Sequence, residues 1–196
     1  MNIRLGSAAL VAIFLGQLTG TPCMAADEQT RRVAVEFSGG HETDPVDRGR
    51  PVNLVAGALG VAPEVFREAF SHVRPAPGGR EPEPAQVRQN KQALMKALAP
   101  YGVTNDRLDT VSNYYRYRPQ NGELWPVQPA AAVAIVENGK LVRFEVTSGG
   151  SGYSSPPRIS VPGFPAATAE AKLSFDKDFQ KNGAVSSIQL KTAAAK

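Results

Sequence analysis

Two periodicities run along this chain. Over residues 32–37, Val33, Val35 and Phe37 alternate with Ala34 and Glu36, and Ser38-Gly39-Gly40 ends the run. A repeat of two puts alternate side chains on one face, so this stretch is expected to be a strand. A polar segment, 41–50, follows. The period then lengthens to that of a helix. Pro51 suits a first helical position and Gly60 the residue just past an end. Between them Val52, Val55, Ala56 and Leu59 share one face. Pro63 opens a second helix with the apolar stripe Val65, Phe66, Ala69, Phe70 and Val73. Residues 74–84 are a Pro/Gly/charge connection, and 86–99 read as a third helix aligning Val87, Leu94 and Leu98. Thr104 is placed to cap a fourth, carrying Leu108, Val111 and Tyr115. The junctions Leu59-Gly60-Val61 and Tyr101-Gly102-Val103 are alike. Two helix pairs so joined would pack as a four-helix cluster.

Pro119, Asn121-Gly122, Pro126 and Pro129 mark a boundary, beyond which the period returns to two. Asn138-Gly139 joins two alternating runs, and both positions of a two-residue hairpin turn require positive φ. Pairing across that turn sets Glu137 opposite Lys140, Ile135 opposite Val142 and Val133 opposite Phe144. Three further strands are expected at 158–161, 168–175 and 184–190, and 183–190 echoes 139–146. The fold class is therefore α+β: a small helical N-terminal domain entered through one strand (26–118), an exposed linker (119–130) and a small antiparallel β-module (131–196).

The stretch Val146-Thr147-Ser148-Gly149-Gly150-Ser151-Gly152-Tyr153 carries a resemblance. It resembles the Gly-Gly-Ser-Gly-Tyr β-module of bacterial exported proteins and of phage tail or surface proteins. Pro156-Pro157-Arg158-Ile159, Ala167-Thr168-Ala169-Glu170-Ala171 and Gly183-Ala184-Val185-Ser186-Ser187-Ile188 follow in the order that module has. The likeness spans roughly 130–191. It implies a fold and brings no catalytic residue. The part before it looks like uncharacterised exported bacterial proteins of similar layout, again without an activity. Physically, Gly149, Gly150 and Gly152 supply backbone angles that side chains forbid. Tyr153 is then expected to fold over the sheet with its hydroxyl in water. The loop is not a phosphate cradle, since no Gly-Lys-Ser/Thr follows. Nor is Ser151 a nucleophile elbow, because Tyr153 stands where the final Gly of Gly-x-Ser-x-Gly belongs.

The first 25 residues change the picture of where the protein works. Arg4 precedes the apolar run Ala8-Ala9-Leu10-Val11-Ala12-Ile13-Phe14-Leu15, and Cys23 and Ala25 are small residues three and one positions before Ala26. This is the layout of a cleaved secretory signal peptide, too short in its apolar part to span a bilayer. Pro22 before Cys23 departs from the lipoprotein pattern. Processing removes the only cysteine and with it disulfides, Cys nucleophiles and Cys-ligated metals. The expected location is periplasmic or secreted, with no membrane span after processing. A net charge of +4 on 196 residues is too small for a dedicated nucleic-acid surface.

Two clusters could carry chemistry. His41, Glu42, Asp44 and Asp47 form an oxygen-rich loop ahead of Arg48 and Arg50. Such a loop could hold Ca²⁺ or Zn²⁺, or Asp44 or Asp47 could pair with Arg48 or Arg50; the pairing is the expectation taken here. Tyr114, Arg116, Tyr117, Arg118 and Trp125 interleave aromatics and cations, a composition that stacks on sugars or bases. Export and the weak net charge favour carbohydrate over nucleic acid. The other histidine, His72, sits near a helix end, where a solvated imidazole is ordinary.

The reading is an exported, non-catalytic binding or structural protein of the bacterial envelope or exterior, with carbohydrate or another surface protein as partner and no cofactor. The alternative is a metal-dependent hydrolase built on His41, Glu42, Asp44 and Asp47. The exported protein is expected to begin at Ala26. Intact-mass measurement of secreted material checks this, and a species retaining 1–25 or an added acyl mass would refute it.

Overall fold

The computed structural model describes residues 30–74, 83–117 and 121–191. The N-terminal alternation yields two strands rather than one: β1 (Thr30–Ala34) and β2 (Glu36–Ser38). The break is Val35, whose N–H donates to Ala132 O at 3.0 Å before the chain changes partner. β1 pairs antiparallel with β3 (Ala131–Glu137), and β2 with β5 (Arg158–Ser160). The first strands are thus built into the sheets formed by later residues.

A short 3₁₀ turn, Pro45–Asp47, leads to the helices α1 (Val52–Leu59), α2 (Pro63–Ser71), α3 (Pro84–Leu98) and α4 (Asn105–Tyr114). Pro51 stands one position earlier than expected, at the cap of α1, where its carbonyl accepts from Val55 N–H at 3.0 Å. Gly60 ends α1 in the left-handed region. Thr104 caps α4 through Oγ1, which accepts from Arg107 N–H at 3.2 Å. α1 is buried on more than the expected stripe: Leu54 and Ala58 are also fully inaccessible. The extra faces are covered because α1 lies between its helical neighbours and the loop after β6 (Thr168–Ser174). No helix among the described residues is long and apolar enough to cross a membrane.

The remaining strands are β4 (Lys140–Ser148) and β7 (Ala184–Lys191). The sheets run β1-β3-β4, β2-β5 and β6-β7, and β4 lies against β7. Asn138 and Gly139 both have positive φ, and Glu137 faces Lys140 as expected. Further along, the register departs from expectation. Val136 faces Leu141, but Ile135 faces Arg143, Ala134 faces Phe144 and Val133 faces Glu145, with a bulge between Ile135 and Val136. One extra residue in β4, Val142, exchanges the two faces for everything beyond it, and Val142 itself is exposed.

The glycine motif closes the gap between the helices and the sheets. Gly152 has φ +86°, and a Cβ there would lie 2.6 Å from Pro126 O. Gly149 lacks positive φ; its need is space, since a Cβ would stand 2.9 Å from Val185 O. Tyr153 is 4% exposed, so its hydroxyl is not in water as expected. It accepts instead from Ala130 N–H at 3.0 Å. Most of 121–130, the described part of the expected linker, is exposed, but one residue of it is anchored. Trp125 is 2% exposed and its indole N–H donates to Gly152 O at 2.7 Å. Gln128 and Ser151 exchange two backbone hydrogen bonds. A large apolar ring with one polar handle is most stable where both needs are met, and the motif's carbonyl meets the second.

Asn182 holds the halves together. It is fully buried, and its Nδ2 donates to Leu54 O and to the Tyr115 hydroxyl, each at 2.7 Å. Its Oδ1 accepts from Asp176 N–H at 3.0 Å. Burial also pushes the Tyr115 phenol up to about 12 from its ordinary 10.0, an effect the Asn182 hydrogen bond partly offsets. Removing the amide strands buried polar groups on both sides. Asn182→Ala is therefore expected to cost on the order of 3 kcal/mol. Denaturant unfolding followed by Trp125, the single tryptophan, reads the change. The raised phenol has a further consequence. Its contribution to stability is full below pH 10.0 and is lost as pH rises towards 12, because the unfolded phenol ionises first. Melting curves across that range should show this alkaline loss diminished in Tyr115→Phe.

Candidate functional site

The polar segment 41–50 is shaped by its own backbone needs. Gly39 and Gly40 both have positive φ, and at Gly40 a Cβ would stand 2.6 Å from the Tyr153 ring. Asp44 caps the 3₁₀ turn, its Oδ1 accepting from Val46 N–H at 3.0 Å. Arg48 then takes the left-handed conformation, φ 51° and ψ 45°, with its N–H donating to Pro45 O. Gly49 follows with φ +82°, and its carbonyl accepts from the Tyr117 hydroxyl.

The four residues of the possible metal site take separate partners. The His41 ring stacks on Tyr153, with centroids 5.2 Å apart, and meets Trp125 edge-on at 6.4 Å. Its Nδ1 is buried and makes no hydrogen bond. The Glu42 carboxylate accepts from Gly40 N–H at 2.9 Å and from the Ser155 hydroxyl, and the latter bond lowers its pKa most. Asp44 is spent on the turn. Asp47, 5% exposed, accepts two bonds from Arg67, at 2.8 Å from Nε and 2.9 Å from Nη2. The expected pairing of Asp44 or Asp47 with Arg48 or Arg50 thus gives way to a partner twenty residues on. A planar guanidinium across from the turn presents two parallel donors, which neighbours on the same tight turn do not match. Among the described residues no group of three His, Cys, Asp or Glu side chains is placed to hold a metal ion.

The aromatic and cationic set does not form one face. Tyr114 stacks on Phe179 at 4.0 Å, while Tyr117 meets Trp125 edge-on at 5.0 Å. Trp125 belongs to the helical core, Arg116 is exposed, and Arg118 lies outside the described residues. The rings serve instead as packing between α4, the 121–130 segment and the loop carrying Phe179. Of the structural motif, Gly149, Gly150, Gly152 and Tyr153 all lie at the junction of 126–130 with β7. His72 is exposed, with Nε2 3.3 Å from Glu68 Oε1 on the same helix.

What the sequence reading did not find is a cleft of about 410 Å³ between the 3₁₀ turn and the outer face of α2. Val46, Val52 and Val73 form apolar walls, and Arg48, Arg50, Arg67 and Asp47 supply the charges. The Arg50 guanidinium carbon sits 4.0 Å from the centroid of the Phe70 ring. Burial lowers the Arg50 pKa, Asp47 works against that shift, and Arg48 adds to it. The Asp47 contact raises that of Arg67. Glu64 stands 3.7 Å from Arg67 on its far side, and Ser71 Oγ donates to Glu68 O. The cleft therefore offers cationic donors beside apolar walls, and its one carboxylate is held by Arg67. The signal available in the sequence was Arg48 and Arg50 themselves, two cations whose nearest acids are needed elsewhere.

The chain matches no protein-family model, no curated protein and no solved structure.

If the acids serve the fold, their loss registers as stability. Asp47→Ala is expected to cost about 2–3 kcal/mol, by leaving a half-buried guanidinium without its partner. Asp44→Ala is expected to cost about 0.5–1 kcal/mol through the lost turn cap. Melting curves with and without Ca²⁺ or Zn²⁺ check both, and neither ion is expected to raise the transition. A micromolar metal affinity lost in Asp44→Ala would instead support the hydrolase alternative.

Proposed function

We propose that this is an exported, non-catalytic binding protein of the bacterial envelope or exterior, taking its ligand in the cleft between the 3₁₀ turn and α2. The observation that carries the reading is that cleft: about 410 Å³, with guanidinium donors beside apolar side chains. Pockets of this size and make-up suit one small molecule or one residue of a larger chain. Export rests on the first 25 residues, and a surface setting on the likeness of the Gly-Gly-Ser-Gly-Tyr stretch to exported modules. Carbohydrate remains the partner class that export favours. Its place is the arginine cleft rather than the aromatic set at 114–125, whose tryptophan is buried. The hydrolase alternative needs His41, Glu42, Asp44 and Asp47 to face a common point, and their contacts point them apart.

Amide chemical-shift mapping of the protein from Ala26 onward, against neutral and acidic saccharides, tests the proposal. Perturbations are expected at 46–52 and 67–73. A binder that maps to another surface would overturn the cleft, and time-dependent cleavage of a saccharide would put the hydrolase first.

A further inference from the structure

We infer that the cleft is a carboxylate site, in which Arg50 takes an organic carboxylate through paired N–H donors and Arg48 closes on it from the turn. The inference rests on the cleft being the binding site and adds the chemistry of what binds there.

The charge count comes first. Three guanidiniums and one carboxylate line the cleft. Asp47 spends both oxygens on Arg67, so that pair is neutral within itself. Among the described residues neither Arg48 nor Arg50 has an ion-pair partner. The acids nearby are committed elsewhere: Asp44 to the turn, and Glu64 to the far side of Arg67. Two cations thus share one concave surface on which Asp47, already bonded to Arg67, is the one opposing charge, and an arriving anion would relieve their repulsion.

The second observation is how Arg50 is held. Its guanidinium rests on the Phe70 ring at 4.0 Å. The Arg50 N–H donors make no side-chain hydrogen bond or ion pair among the described residues, so they are available. A carboxylate matches two of those donors at once, and a group already seated loses little freedom on binding. Arg50 is also partly desolvated, which burial's effect on its ionisation records. An arriving anion would restore the lost solvation.

The third observation is Arg48. It is one of two residues other than glycine with positive φ among those described; the other is the hairpin Asn138. Asn tolerates that region, whereas Arg is held in it as the cap of the 3₁₀ turn, its N–H donating to Pro45 O. The turn holds the strained residue where its side chain lines the cleft, as residues kept for binding often are.

The walls decide between organic and inorganic anions. A bare phosphate would leave most of about 410 Å³ unfilled and touch none of the valines usefully. A carboxylate with a carbon skeleton fills the space and covers Val46 and Val73.

Calorimetric titration of the chain from Ala26 onward tests this, with sodium glucuronate, sodium 3-methylbutyrate, glucose and inorganic phosphate as probes. One-to-one binding of at least one carboxylate is expected, weakening as NaCl is raised. Arg50→Met should weaken it by about tenfold or more, since a charge-assisted pair is lost. Arg50→Lys should recover only part of the loss, because charge returns without the paired donors. Arg48→Gly removes the second cation while relieving the left-handed backbone. It should fold at least as well and still bind about threefold or more weakly, even if Arg50→Met melts early. Carboxylate affinity unchanged in both Arg50→Met and Arg48→Gly would overturn the inference, as would phosphate binding as tightly as either carboxylate. If glucose or another neutral sugar maps to the cleft and no carboxylate binds, the inference fails while the proposed function stands. If nothing binds there, both fall.

Discussion

A single buried amide couples the two kinds of structure in this protein. Asn182 stands between α1, the end of α4 and the start of the loop after β6, and it satisfies one polar group on each. Each would otherwise need water, and the site is closed to it. Buried donors and acceptors left unpaired are costly, so the helices, the loop and β7 are held in one relative placement. Gly57 on α1 shows how close that placement is: a Cβ there would stand 2.6 Å from Asn182 Oδ1. Gly183, next along, has φ +67° and passes equally close to Leu54 and Tyr153. The polar contact and the two glycines form one device, since the amide reaches Leu54 O only because neither glycine carries a side chain.

The Gly-Gly-Ser-Gly-Tyr stretch acts in the same way from the other side. Gly150 and Gly152 let the backbone of 126–130 approach, and the approach buries Trp125 and Tyr153. Each ring keeps one hydrogen bond to backbone, Trp125 to Gly152 O and Tyr153 from Ala130 N–H. His41 is then trapped against both rings. A histidine at the head of an acidic loop looks like a ligand. Here it fills the seam between the motif and the first sheet crossing.

Competition for partners governs the charged loop. Glu42, Asp44 and Asp47 lie within six residues of one another, yet each is taken by a different neighbour. A backbone turn takes the first claim on Asp44, because an unpaired N–H at the start of a turn has a nearby carboxylate as its natural acceptor. Arg67 takes Asp47 with two parallel bonds. What is left over is the cation excess at Arg48 and Arg50, and that remainder gives the cleft its character.

Local periodicity was enough to read the α+β class, the four helices, their caps at Thr104 and Gly60, the Asn138-Gly139 turn and the positive φ of Gly152. These depend on backbone preferences acting over a few residues, which the chain carries at each position. The tertiary structure decided the rest. The split at Val35, the bulge at Val142 and the burial of Trp125 each depend on a surface contributed from far along the chain. The same holds for the cleft. Asp47 and Arg67 are twenty residues apart, and Phe70 meets Arg50 only because α2 folds back over the turn. Asn182 was least legible of all. An Asn before a Gly reads as an exposed turn, and only the packing of α1 and Tyr115 around it makes that amide the link between the two halves.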